Sequence, residues 1–504
     1  MILILLIHYK YTILMKKKYH KRLKKVLEEK WGFSELKDKQ MEIIEALVTD
    51  KRDVVGLLPT GYGKSMTFLI PPLITRKVCI IISPLISLME DQKEKLIERE
   101  IPVAALHGNN PNKDKEIFQI IDNEIHIVYM SPEFLIKGDG IELATTLNND
   151  KMLGLFAIDE SHCTSVWGHD FRNDYLKLGL FREKFPDIPI LAVTATATFQ
   201  VVQDIVNYIK LSKPLLVRAN FDRPNLFLRF EKADDNDVEL VVPYIEKYII
   251  SKQEDESCED RLIIYMNSRK DTVEMNEQIN NKWKKTSLAY HAGMSKKMRN
   301  IIQAKFSSGE VKIIVSTIAF GMGIDQTVRC VAIFGAPSSI EEYYQQIGRA
   351  GRDHNNAETI LFFQYKGIKI AEAGLTRYKN PKVRQAKAMA YRNMSRLFFT
   401  KTCRRKFILE YFGQVPKFFN CHYCDNCLKL NKDITKKIYK YLIKNKDFFE
   451  VFKKKEIEKL KKLDLLSVYG DQIKIYQDLI NWKKIILANN INKNNMKDKY
   501  RIYI

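Results

Sequence analysis

The chain has 504 residues, 45% of them apolar, and a formal net charge of +22. That length is too great for one hydrophobic core and that apolar share excludes a disordered chain, so three or four packed units are expected. No apolar run approaches the ~20 residues that span a bilayer, and the positive excess favours a polyanionic partner over a membrane.

Residues 1–7, MILILLI, are apolar but short, and their positive charges follow rather than precede them, unlike a signal peptide. They read as an edge strand, a frayed terminus or a mis-set start, with Met15 as the true one. Residues 1–30 carry nine Lys/Arg against two Glu, and residues 431–504 nineteen against nine acids, so +17 of the +22 lies at the two ends. A lysine-rich composition spread over every surface is the plainer source of this charge. KKKYHKRLKK (16–25) reads as a solvated helix face or a nuclear signal.

From residue 53 to 364 apolar strand-like runs alternate with helical stretches. The first series is DVVGLL (53–58), VCIIIS (78–83), HIVYM (126–130), LGLFAI (153–158) and ILAV (190–193). The second has LIIYM (262–266), VKIIVS (311–316), the run at 329–334 and TILFF (359–363). Alternating βα units predict two consecutive parallel sheets with helices on both faces. An acidic break at 231–238 reads as the interdomain link, and a second at 251–260 as a surface insertion. Residues 386–399 have helical spacing, and LLSVYGDQIKIY (465–476) reads as a hairpin about Gly470-Asp471.

Three stretches carry chemistry. Leu58–Ser65, LPTGYGKS, lies between a strand and the helical MTFLI and reads as a phosphate-binding loop. Thr60, Gly61 and Gly63 would let backbone N–H groups approach phosphate, Lys64 would reach the β- and γ-phosphates, and Ser65 would ligate Mg²⁺. At the end of LGLFAI, Asp159 would hold Mg²⁺ and Glu160 would polarise the attacking water. Trp167, His169, Phe171 and Arg172 follow closely, a set suited to stacking on bases and gripping phosphates. Arg349 and Arg352, in QQIGRAGR, would stabilise charge on the leaving phosphoryl from the second sheet.

Eight cysteines are present. Cys79, Cys163, Cys258 and Cys330 are scattered. Cys403, Cys421, Cys424 and Cys427, spaced C-x17-C-x2-C-x2-C, read as a tetrahedral zinc site in a reducing intracellular compartment, with His422 solvated beside it.

In chain order these motifs resemble superfamily 2 helicases, specifically the RecQ family, over about residues 30–430. Gly32-Phe33…Lys37…Gln40 resembles the family's adenine-recognition motif, which implies that Phe33 stacks on adenine and Gln40 reads its edge, with Lys37 where Arg is usual. SPLISLMEDQ (83–92) resembles the strand-contacting motif, DESHCTSVWGHDFR the DEAH box with its aromatic-rich loop, and AVTATAT (192–198) the motif that couples the two sites. FDRPNL (221–226), IIYMNSRK (263–270), YHAGM (290–294), STIAFGMGID (316–325) and YYQQIGRAGRD (343–353) continue the pattern. Ser161 stands for Ala, Gln346 for Glu and His354 for Gly. CRRKFILEYFG (403–413) and CHYCDNC resemble the family's zinc subdomain.

The resemblance implies an α/β chain. It comprises a basic extension (1–24), RecA-like domains at 25–228 and 229–366, a helical zinc-binding subdomain (367–430) and a basic C-terminal region (431–504). That last region is read either as a shortened winged helix, with Tyr469 or Tyr476 separating strands, or as an ordinary solvated hairpin. The implied activity is ATP- and Mg²⁺-dependent 3′–5′ unwinding of single-stranded and tailed duplex DNA, in the nucleus or wherever the genome is replicated. The alternatives are an RNA helicase or a DNA translocase that does not unwind. Oligomeric state stays open.

Overall fold

The computed structural model describes residues 19–168, 172–252, 260–284, 286–318, 320, 326, 328–364 and 373–429, together with the backbone of two strands at 466–469 and 472–475.

Two parallel sheets organise the chain. The first contains β1 (Val54–Leu57), β2 (Val78–Ile82), β3 (Val103–Leu106), β4 (Ile127–Met130), β5 (Leu153–Ile158), β6 (Ile190–Thr194) and β7 (Leu215–Arg218), in the order β3-β4-β2-β5-β6-β1-β7. The second contains β8 (Leu226–Lys232), β9 (Arg261–Tyr265), β10 (Ser287–Tyr290), β11 (Ile313–Ser316), β12 (Val328–Phe334) and β13 (Ala357–Phe363), in the order β10-β11-β9-β12-β13-β8. A separate antiparallel hairpin pairs β14 (Leu466–Tyr469) with β15 (Gln472–Ile475).

The strands read as unbroken apolar runs because both sheet faces are buried. Along β2, Ile80 and Ile82 enter one core while Cys79 and Ile81 enter another. Along β9, Ile263 and Tyr265 face one core, Leu262 and Ile264 the other. One face of each sheet shares a single core with Met394, Leu397, Ile408 and Cys424 of the region after residue 380. The two sheets and the cysteine-bearing helices therefore pack as one body.

The expected link at 231–238 is corrected. Leu226–Lys232 is a seven-residue strand paired to β13, so the crossing between sheets is made at 219–225. The acidic residues that suggested a loop begin at the exposed end of this edge strand. The boundary expected at 228 falls inside it. β3, β7 and β10 are four-residue strands that the sequence pattern did not show. Among the described residues no helix is long and apolar enough to cross a membrane.

Candidate nucleotide and nucleic-acid site

The strand order β5-β6-β1 sets three loops side by side at the C-terminal edge of the first sheet, where open α/β sheets bind ligands. After β1 the chain turns through Gly61 (φ 81°) and Gly63 (φ 89°), left-handed conformations that glycine adopts without strain. Helix Met66–Thr75 begins at once. Lys64 Nζ lies 2.7 Å from Glu160 Oε1 and 3.7 Å from Asp159 Oδ1. Ser65, half-buried, stands at the helix start.

Asp159 and Glu160 leave the end of β5. The Asp159 N–H donates to Ile82 O, and its carboxylate accepts from the Glu160 N–H at 2.9 Å. Glu160 is left-handed at φ 47°, which turns its side chain toward Lys64. Burial alone would raise the Glu160 carboxyl, but Lys64 and His162 hold it well below the ordinary range. Burial and the neighbouring Glu160 charge keep the Asp159 carboxyl raised despite Lys64. His162 is buried, with Nδ1 2.8 Å from Thr194 Oγ1 and 3.3 Å from Glu160 Oε2. It ties the acid loop to the end of β6, inside the AVTATAT stretch.

Gln40 is placed as a clamp on the phosphate loop. Its Nε2 donates to Tyr62 O (3.0 Å) and Gly63 O (2.9 Å), and its Oε1 accepts from the Lys37 N–H. A Cβ on Gly63 would lie 2.5 Å from that nitrogen. Both Nε2 hydrogens are thereby used, so donation to a base edge would require release of one of these bonds, while Oε1 keeps a second lone pair for acceptance. Lys37 Nζ sits over the Tyr62 ring and 3.4 Å from Gly61 O, and Phe33 is 52% exposed nearby in sequence.

The arginines reach this edge from the second sheet. Helix Ile340–Ile347 ends at Gly348, and residues 348–352 lie against the phosphate loop. A Cβ on Gly348 would be 3.1 Å from Thr60 Cβ, and one on Gly61 would be 3.6 Å from Arg352 Cγ. Burial raises the Tyr265 phenol and the nearby Arg349 charge opposes that rise, and the same charge opposes the pull of Glu160 and Asp159 on Lys64. His354, where the resembling family carries Gly, has φ 65°. Two residues that sequence reasoning left without a role hold this segment. Arg223 Nη2 donates to Ala350 O (2.8 Å) and Gly351 O (2.7 Å), and Asn225 Nδ2 to Gly351 O (2.8 Å) and Asn355 O (2.9 Å).

Of the aromatic-loop residues, His169 and Phe171 lie outside the described residues. Trp167 is half-buried, and Gly168 O accepts from Lys387 of helix Pro381–Phe399. Arg172 Nη1 donates to Pro84 O at 2.6 Å, which joins the loop to the 83–92 segment.

Cys403, Cys421, Cys424 and Cys427 come together with all four Sγ atoms within 4.8 Å of one another. Four soft thiol donors at that separation fit a tetrahedral zinc ion. Backbone N–H groups of Lys406 and Cys421 point at Cys403 Sγ. His422 is exposed and outside the group. Tyr469 lies in β14, whereas Tyr476 and the turn at 470–471 fall outside the described residues.

Three family models match: DEAD/DEAH box helicase over residues 37–205, helicase conserved C-terminal domain over 242–354, and RecQ zinc-binding over 365–428. The "Putative ATP-dependent RNA helicase R290" of Acanthamoeba polyphaga mimivirus is 37% identical over 83% of this chain and 74% of its own. The ATP-dependent DNA helicase RecQ of Haemophilus influenzae is 35% identical over 80% of this chain and 63% of its own. The ATP-dependent DNA helicase hus2/rqh1 of Schizosaccharomyces pombe is 36% identical over 80% of this chain, which spans only 30% of that relative. Among solved structures, the helicase MrfA bound to DNA and AMPPNP matches 91% of this chain and 62% of its own, with a TM-score of 0.56 at 18% identity. The DEAD-box helicase Mss116 matches 74% of this chain and 80% of its own, with a TM-score of 0.55 at 20% identity. These two likenesses concern the fold.

Proposed function

Because the chain belongs to the RecQ family of ATP-dependent DNA helicases, we propose that it is an ATP-driven motor that moves 3′ to 5′ along single-stranded DNA and parts tailed duplexes. The observation that carries this reading is Lys64 held by Asp159 and Glu160 while the arginine segment lies against residues 60–61.

ATP binds at the C-terminal edge of the first sheet. Its phosphates draw Lys64 away from the two acids, which frees Glu160 to orient the attacking water. The Ser65 hydroxyl and the Asp159 carboxylate are hard oxygen donors suited to Mg²⁺, which when bound neutralises phosphate charge. Arg349 and Arg352 act on the charge of the departing phosphoryl. His162 passes the state of Glu160 to Thr194, and Arg172, bonded to Pro84 O and to Cys163 O, links DNA bound along 83–92 to the same acid loop.

The test measures ATP hydrolysis without nucleic acid, with single-stranded DNA and with single-stranded RNA, alongside unwinding of a 3′-tailed DNA duplex. DNA-stimulated hydrolysis with unwinding is expected. Stimulation without unwinding would make the chain a translocase. The name of the mimivirus relative favours RNA as the second reading, and stimulation by RNA alone would move the assignment there.

A further inference from the structure

The helix Arg404–Tyr411 starts at the metal-site residue Cys403 and reaches both ends of the arginine segment. At one end, Arg405 Nη2 donates to Pro224 O (3.1 Å) and Leu226 O (2.8 Å), the two carbonyls that flank Asn225. Asn225 and Arg223 in turn hold the carbonyls of Ala350 and Gly351, the residues between Arg349 and Arg352. Gly351 is left-handed (φ 55°), and a Cβ there would lie 2.5 Å from Asn225 Nδ2. At the other end, Tyr411 OH donates to Glu341 Oε1 at 2.7 Å, in the first turn of the helix that leads to Arg349. Glu341 is 3% exposed, and its second oxygen has no hydrogen-bond partner among the described residues. Between these ends, Tyr344 OH donates to Phe221 O (2.6 Å), and Gln414 Oε1 accepts from the Phe221 N–H.

We propose that Arg405 and Tyr411 are positioning residues for hydrolysis: the helix of the zinc-binding subdomain fixes where Arg349 and Arg352 stand against the phosphate loop. Neither residue touches nucleotide. Each acts through groups that hold backbone or helix. Arg405 sets Nη2 on both carbonyls while Nε of the same planar edge lies 3.5 Å from Asp222 Oδ1, an arrangement along one rigid edge that a lysine ammonium does not reproduce. The inference rests on the reading of the two arginines given above.

The experiment uses the full chain carrying Arg405→Lys or Tyr411→Phe, the second removing a single hydroxyl. Each is expected to lower DNA-stimulated kcat about ten- to a hundred-fold, the loss that a misplaced catalytic group produces. The ATP KM, single-stranded DNA affinity and zinc content should stay at wild-type values. In a background carrying both Arg349→Ala and Arg352→Ala the same changes should lower the residual kcat by no more than about two-fold, because the groups they position are gone. An undiminished loss in that background, a kcat unchanged by both single variants, or a parallel loss of zinc or nucleotide affinity would overturn the proposal. A wild-type chain with no DNA-stimulated hydrolysis would instead overturn the helicase reading, and this inference with it.

Discussion

The ion pair at the phosphate loop and the ion pair beside the cysteine group are made from similar charges and behave differently. Lys64 meets Glu160 through one 2.7 Å contact, with side chains 16% and 24% exposed. Arg404 meets Asp425 through two contacts, of 2.6 and 2.9 Å, at 5% and 7% exposure. Its guanidinium also lies 4.0 Å from the Phe230 ring centroid, and Asp425 accepts from the Phe230 N–H. A lysine on a flexible stem can exchange one oxygen partner for another. A forked, stacked and buried arginine cannot leave without stranding a charge. The first pair is suited to break in each cycle; the second fastens the cysteine-bearing helices to β8 for good.

Removing the exchangeable member should therefore abolish activity and spare the fold. For Lys64→Ala, DNA-stimulated hydrolysis should fall to background while the far-ultraviolet circular dichroism and zinc content stay as in wild type. Retained turnover would refute the phosphate-loop assignment. Glu160→Gln sharpens the same side of the comparison. It keeps a hydrogen-bonding group beside Lys64 but removes the carboxylate proposed to orient the water, so ATP should still bind while hydrolysis drops about 10²- to 10⁴-fold. Unchanged turnover would remove Glu160 from the reaction.

On the other side, Asp425→Ala should act on stability. Arg404 would be left buried without its carboxylate, a loss of about 3–5 kcal/mol for a broken buried pair. Denaturant unfolding should show it, with zinc released at lower denaturant than from wild type. A variant as stable as wild type would mean that the stacked Phe230 and the carbonyl of Leu397, which also accepts from Arg404, suffice.

The contrast also explains what could be read from the chain alone. The exchangeable site is built from strand ends: LGLFAI runs straight into Asp159, and DVVGLL into the glycine loop, so periodicity and spacing exposed it. The fastening contacts join residues far apart in sequence. Asn225 and Gly351 are 126 residues apart, Arg405 and Leu226 are 179, and no local pattern signals such pairs. FDRPNL was recognisable as a motif, yet its task of holding the arginine segment was not. Gln40 shows the same limit, since its partners are the carbonyls of Tyr62 and Gly63, which carry no side-chain signature. The edge strand β8 was misassigned because its acidic C-terminal end has loop composition, and β3 and β7 were missed at the two edges of the first sheet, where one strand is centred on two alanines and the other is only partly buried, so neither shows the β-branched, doubly buried run of the central strands.

The smallest expected effect lies inside the acid loop. Ser161 stands where the family usually has Ala. Its side chain is fully buried, and Oγ has no hydrogen-bond partner among the described residues. An unpaired buried hydroxyl costs about 1–3 kcal/mol, so Ser161→Ala should stabilise the protein by about 1 kcal/mol, read as a higher denaturant midpoint. Hydrolysis should stay within about two-fold of wild type, because the neighbouring carboxylates and His162 keep their own partners. Ser161 is flanked by Glu160, which contacts Lys64, and His162, which contacts Thr194. If alanine stabilises the loop and turnover is unchanged, the loop's unpaired hydroxyl is a burden unconnected with its chemistry. If stability falls instead, the hydroxyl has a partner in solution, and the loop is held more tightly than its protein contacts alone provide.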